Sequence, residues 1–139
     1  MRTAIRVIAG FVAIIAAVVG IQSPSLAAAS FTWTFKGDYG IYSRDFYQPH
    51  ETNIYVKISS WSPCTVNGDQ VDVYVYLYKN DTFDNTVGNT KKITCTGVAK
   101  WSLVNPGTYY FRLVIEGAHR DQGTTFTASG RTYYDGSAP

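Results

Sequence analysis

Cysteine and histidine are nearly absent from this chain of 139 residues, which has two of each. Cys64 and Cys95 have no second cysteine or histidine close in sequence, so neither shows the spacing of a metal-ligand pair. His50 and His119 fall in segments that read as loops, and no motif sets a nucleophile beside either. Glu51 follows His50 and is placed to orient it. "HRD" at 119–121 matches a kinase catalytic-loop tripeptide, but the glycine-rich loop, the strand lysine and "DFG" are missing. "GxSxG", "HExxH" and phosphate-binding loops are absent too. The chain reads as non-catalytic and without a cofactor.

Charge is equally thin, with 12 Lys and Arg against 10 Asp and Glu. Arg2 and Arg6 precede an unbroken apolar run of 15 residues, Val7 to Ile21, and "QSPSLAAAS" follows it. Ala27 and Ala29 stand where signal peptidase requires small side chains. The run is shorter than the ~20 apolar residues of a spanning helix. Residues 1–29 are therefore expected to be a secretory signal peptide, and 30–139 one domain in the extracellular space. Without Arg2 and Arg6, 10 basic residues face 10 acidic ones, so the domain is neutral. A neutral domain with no basic cluster along its sequence argues against nucleic acid as a partner. No second apolar run follows, so no membrane contact is expected after cleavage. In an exported chain Cys64 and Cys95 most simply form one disulfide.

The third shortage is helical periodicity, and strands take its place. "QVDVYVYLYK" sends Val71, Val73, Val75 and Leu77 one way and Asp72, Tyr74, Tyr76 and Tyr78 the other. "YYFRLVIE" sets Tyr109, Phe111, Leu113 and Ile115 against Tyr110, Arg112, Val114 and Glu116. "FTWTFK" and "NIYVKIS" alternate in the same way, "KKITCTGVAKW" is broken at Gly97, and "TTFTAS" and "RTYYD" read as two short closing strands. "KGDYG", "VNGD", "KNDTFDN" and "NPGT" supply the reversals. With no helix to cover them, strands can pack only on strands. The expected fold is all-β: a two-sheet antiparallel β-sandwich, jelly-roll-like or immunoglobulin-like, with one disulfide.

The strands "VDVYVYLYKN" and "GTYYFRLVI" resemble those of the bacterial pre-peptidase C-terminal domain, over roughly Phe31 to Ile115. That family's "D-x-D" strand is matched only by Asp72, since Val73 and Tyr74 follow it. The resemblance implies a secreted β-sandwich accessory to other proteins.

"NDTFDN" gathers Asn80, Asp81, Asp84 and Asn85 in one loop. Such side chains make turns by bonding their own backbone, and the EF-hand spacing is absent, so no metal is expected. What remains is aromatic surface, with 20 Phe, Trp and Tyr between residues 30 and 139. Tyrosine is the typical contact side chain, being large, stiff and polar at its tip. It also reinforces strands by cross-strand pairing, and for any one tyrosine both roles stay open. Tyr74, Tyr76 and Tyr78, about 7 Å apart along one side of a strand, are the candidate ligand-binding row, widened by Tyr110 and Arg112 if that strand joins the same sheet. The expected function is a secreted module binding an extracellular polysaccharide or protein. The alternative is a small secreted antagonist, a protein inhibitor or bacteriocin-like toxin, for which Pro63–Cys64 is the one candidate inhibitory loop.

Overall fold

Wherever the sequence runs at period two, the chain forms a strand, and every strand pairs antiparallel. The structure, a computed structural model, describes residues 29–139. The expected signal peptide lies, but for Ala29, outside the described residues. The strands are β1 (Ala29–Gly37), β2 (Gly40–Tyr42), β3 (Phe46–Gln48), β4 (Thr52–Ser62), β5 (Thr65–Val66) and β6 (Asp69–Gln70). They continue as β7 (Asp72–Lys79), β8 (Asn85–Thr86), β9 (Lys91–Thr94), β10 (Gly97–Val104), β11 (Gly107–Ile115) and β12 (Phe126–Tyr134). No helix occurs among the described residues.

Two sheets carry the structure. Sheet I has the order β1-β12-β4-β10. Sheet II runs β2-β11-β7-β8, with β3 also on β11 and β9 also on β7. Taking β2 with β3 and β8 with β9 as single interrupted strands, and setting aside the β5–β6 hairpin, leaves eight strands. Their orders are then 1-8-3-6 and 2-7-4-5, the arrangement of a jelly roll, and the immunoglobulin-like alternative drops out. Almost every connection crosses from one sheet to the other.

The core lies between the sheets, where the inward halves of the alternating strands meet. Ile54, Val56 and Ile58 from β4 face Val73, Val75 and Leu77 from β7, all at most 1% exposed. Each such side chain stabilises by about 1.5–3 kcal/mol on full burial. Aromatic rings knit the layers: Trp33 on β1 lies 5.7 Å from Phe111 on β11, and Phe46 on β3 lies 4.8 Å from Tyr134 on β12. At one end the fully buried Gln48 replaces a hydrophobic plug. Its Nε2 donates to the carbonyls of Val104 (2.9 Å) and Thr52 (3.2 Å), and its Oε1 accepts from the Asp135 N–H (3.1 Å). One side chain thus ties β3, β4, β10 and the end of β12 together with no unmet polar atom.

Two segments fold differently from their expectation. "TTFTAS" and "RTYYD" belong to one continuous strand, β12, rather than two. The glycine between them, Gly130, sits under the Trp33 ring and against the Lys57 carbonyl, where a Cβ would collide with both. It is a close-approach glycine, not a strand break. "KKITCTGVAKW" divides at Cys95–Thr96 into strands of different sheets, β9 in sheet II and β10 in sheet I. "VNGD" makes the tight β5–β6 hairpin, with Asn67 (φ 52°) and Gly68 (φ 85°) both in the left-handed region, as a type I′ turn requires.

Cys64 and Cys95 are bonded, with Cα atoms 5.3 Å apart. The bond joins the end of β4 to the β9–β10 crossing, and Val71 lies between, donating to the Cys64 carbonyl and accepting from the Cys95 N–H. Denatured, unreduced protein is expected to show no titratable thiol by Ellman assay. Cys64→Ala with Cys95→Ala should cost roughly 3–4 kcal/mol in denaturant unfolding, from the loop of 31 residues it opens. Gly130→Ala should destabilise by about 3 kcal/mol, since backbone and an indole ring must both move.

Candidate ligand-binding face

Pairing between β7 and β11 decides the outer surface of sheet II. The register sets Tyr110 opposite Tyr78, Arg112 opposite Tyr76, and Val114 opposite Tyr74. Tyr74, Tyr76, Tyr78, Tyr110 and Arg112 therefore share one sheet and one face. All five are half-buried rather than open.

The rings are organised among themselves. Tyr78 and Tyr110 stack at 5.1 Å with planes 12° apart, and Tyr76 continues the stack 6.3 Å from Tyr78. Such stacking covers ring faces, so a ligand meets the edges and hydroxyls of these three residues rather than a row of flat rings. Open ring surface lies at the sheet edge, where β2 runs beside β11. Tyr42 pairs with Arg112, is 63% exposed, and its ring lies 6.1 Å from Tyr110. Tyr47, on β3 beside Thr108, and Tyr39, in the turn before β2, extend the exposed aromatic edge. Sequence reasoning missed Tyr39, Tyr42 and Tyr47 because β2 and β3 are three residues each, too short to show a period. The signal was compositional: three tyrosines within "YGIYSRDFY".

Arg112 is held in the middle of this edge. Its guanidinium carbon lies 5.1 Å from the Tyr42 ring centre and 5.8 Å from that of Tyr39, and it donates to the Tyr39 hydroxyl at 3.2 Å. Among the described residues it forms no ion pair with a carboxylate, so its charge is directed by aromatic rings alone. Tyr110 is anchored from the other side, donating to Asp84 at 2.9 Å. Desolvation first, and then the hydrogen bond and charge of Asp84, push the Tyr110 phenol up to about 12.

The remaining polar candidates are engaged locally. In "NDTFDN", Asp81 accepts from the Thr82 N–H (2.7 Å), Asn80 donates to Asp45 (2.6 Å), and Asp84 serves Tyr110. Asp72 accepts from Thr94 at 2.6 Å. Among the described residues no group of three or more His, Cys, Asp or Glu is gathered as metal ligands are. His50 pairs not with Glu51 but with Asp135, at 2.9 Å, because strand pairing brings the end of β12 to the β3–β4 corner. His119 is buried, with Nδ1 2.5 Å from Glu116, whose carboxylate also accepts the Asp72 N–H. That pair pins the connection after β11 to β7. Pro63 and Cys64 are half-buried beside the disulfide and do not form a presented loop. A cleft of about 520 Å³ opens between the β8–β9 connection and the β10–β11 turn, lined in part by Lys79, Lys91, Trp101 and Tyr109. It has no carboxylate or imidazole in its wall and so no acid–base pair.

No protein-family model matches the chain, and no curated protein matches it. Among solved structures it is similar to the crystal structure of the Yersinia pseudotuberculosis-derived mitogen. The TM-score is 0.46 and the identity 14%, over 81% of this chain and 89% of that one. A likeness at that level carries no argument about function.

Tyr110 supplies a test of the face in solution. A phenol whose folded pKa lies above its unfolded value stabilises the fold at pH values below the unfolded pKa. That contribution is lost as pH rises from the ordinary phenol value of 10.0 towards about 12. Unfolding free energy should therefore fall over this window less steeply in Tyr110→Phe than in the parent. The tyrosinate absorbance of the native protein should lose one late-titrating tyrosine in that variant.

Proposed function

We propose that this chain is a secreted, non-catalytic binding module that takes an extended ligand, a polysaccharide or a protein segment, along the aromatic face of sheet II. The observation that carries this reading is the stacked strip Tyr76–Tyr78–Tyr110 ending at the open ring of Tyr42, with Arg112 set beside it. The tyrosines are already fixed against one another, so a ligand does not have to order them. Their hydroxyls lie in rows set by the strand rise, and Arg112 offers donors in a fixed fork. Tyr42 and Tyr39 supply the apolar platform on which a sugar ring or a side chain rests. Export to an oxidising compartment is supported by the Cys64–Cys95 bond. Among the described residues, no helix is long and apolar enough to cross a membrane.

Retention of the purified protein on insoluble polysaccharides and on cell-wall material tests the proposal. Tyr42→Ser and Arg112→Gln should each weaken retention by about 30-fold, the effect of losing a ~2 kcal/mol contact. The melting temperature should hardly move, because both side chains lie on the outer face of sheet II, away from the core. Tyr78→Ser should lower the melting temperature as well, because it removes the middle of the stack. Retention unchanged in both Tyr42→Ser and Arg112→Gln would move the site elsewhere.

A further inference from the structure

The two sheets divide the charge of the molecule unequally. None of the four strands of sheet I contains Asp or Glu, and they carry Lys36, Lys57, Lys100 and Arg131. In sequence these four are scattered from position 36 to position 131. In the sheet they come to one face. The inward positions of these strands are taken by buried residues such as Val56, Ile58, Ala99, Trp101 and Thr132, and alternation turns the four cations outward.

Their placement is uncompensated. Arg131 pairs directly with Lys57 across the β12–β4 register, a like-charge pair that is destabilising by itself. Among the described residues none of the four cations forms an ion pair. Two of them are nevertheless held in position. Arg131 donates to Ser30 Oγ at 2.8 Å, and the Lys100 ammonium lies 5.9 Å from the centre of the Tyr55 ring. A surface that fixes like charges side by side, with no anion of its own, is complementary to an anion from outside.

We propose that the outer face of sheet I is a second binding site, for an acidic polysaccharide. Lys100 pairs with Tyr55, one row (about 7 Å) from Lys57 and Arg131, and Lys36 pairs with Thr127, about 14 Å away in the other direction. The line of cations thus runs roughly 20 Å along the strands. Its spacing is two to four times the ~3.4 Å charge interval of a nucleic-acid strand. It suits a polymer that carries carboxylates on successive or alternate sugars. The ground between the cations is hydroxyl-bearing, with Thr32, Thr34, Ser129 and Tyr133 at outward positions, as recognition of sugar hydroxyls requires. Val98 and Leu103, both on β10, are the exposed large aliphatic side chains on the strands of sheet I, too few to enter a lipid surface. This site is independent of the tyrosine face, which lies on the other side of the sandwich.

Affinity for soluble polygalacturonate, with neutral dextran as control, is the test. The protein should bind polygalacturonate and not dextran, and binding should weaken as salt rises from about 50 to 200 mM. Lys57→Gln with Arg131→Gln should reduce affinity at least tenfold without lowering the melting temperature, since the pair repels in the parent. Lys100→Gln, away from that pair, should reduce it severalfold, and Tyr42→Ser should leave it unchanged. Failure to bind polygalacturonate, or equal binding by the double variant, would overturn the proposal. So would tighter binding to duplex DNA or to phosphatidylserine vesicles, which would assign the cations to another polyanion. A fall in the melting temperature of the double variant would show that the two side chains serve the fold.

Discussion

The pairing of β7 with β11 in the middle of sheet II is the contact on which most of the molecule depends. One register sends Val73, Val75 and Leu77 with Phe111, Leu113 and Ile115 into the core, and Tyr76 and Tyr78 with Tyr110 and Arg112 to the outside. A slip of either strand by one residue would turn its three inward hydrophobic side chains out and bring its phenols, or for β11 Tyr110 and the Arg112 guanidinium, into the core. Core and candidate site are therefore specified by the same hydrogen-bond ladder. The short edge strands β2 and β3 add to it, and so does the loop carboxylate Asp84, which reaches Tyr110 only because β7 and β11 are neighbours.

Around that ladder the jelly-roll connections carry the chain back and forth between layers, and each crossing has its own fastening. The disulfide and the Val71 hydrogen bonds hold the crossings at one end. Gln48 holds the corner where β3 leads to β4, and the His119–Glu116 pair holds the connection that follows β11. Buried polar side chains with every partner in place suit this role, because each specifies one arrangement of several backbone segments. The buried His119 is taken up in such a pair, whereas His50, exposed at the surface, pairs with Asp135.

The two outer faces that result are chemically distinct. Sheet II presents phenols packed against one another, with one arginine among aromatic rings. Sheet I presents hydroxyls and four cations without an acid in its strands. Net charge along the sequence conceals this, since 10 acids and 10 bases between residues 30 and 139 sum to neutrality wherever they lie. Flat, rigid faces of this kind suit polymers more than small molecules, which are usually taken in concave pockets.

The all-β class, the inward residues of β4, β7 and β11 and the outward turn of Tyr74, Tyr76 and Tyr78 were legible in the sequence. Period-two alternation is local, and Val, Leu and Phe gain more from burial than Tyr or Arg. The disulfide was legible because a chain that reads as exported and has two cysteines leaves little choice. Tertiary structure alone decided the rest. Strand order chose the jelly roll over the immunoglobulin arrangement, and the tight approach of Trp33 made Gly130 part of one strand instead of the gap between two. It set Asp135, not Glu51, beside His50, and gathered Lys36, Lys57, Lys100 and Arg131 onto one face. These are outcomes of pairing between segments dozens of residues apart. The alternation of a strand records which side faces the core, but carries no mark of which strand will lie beside it.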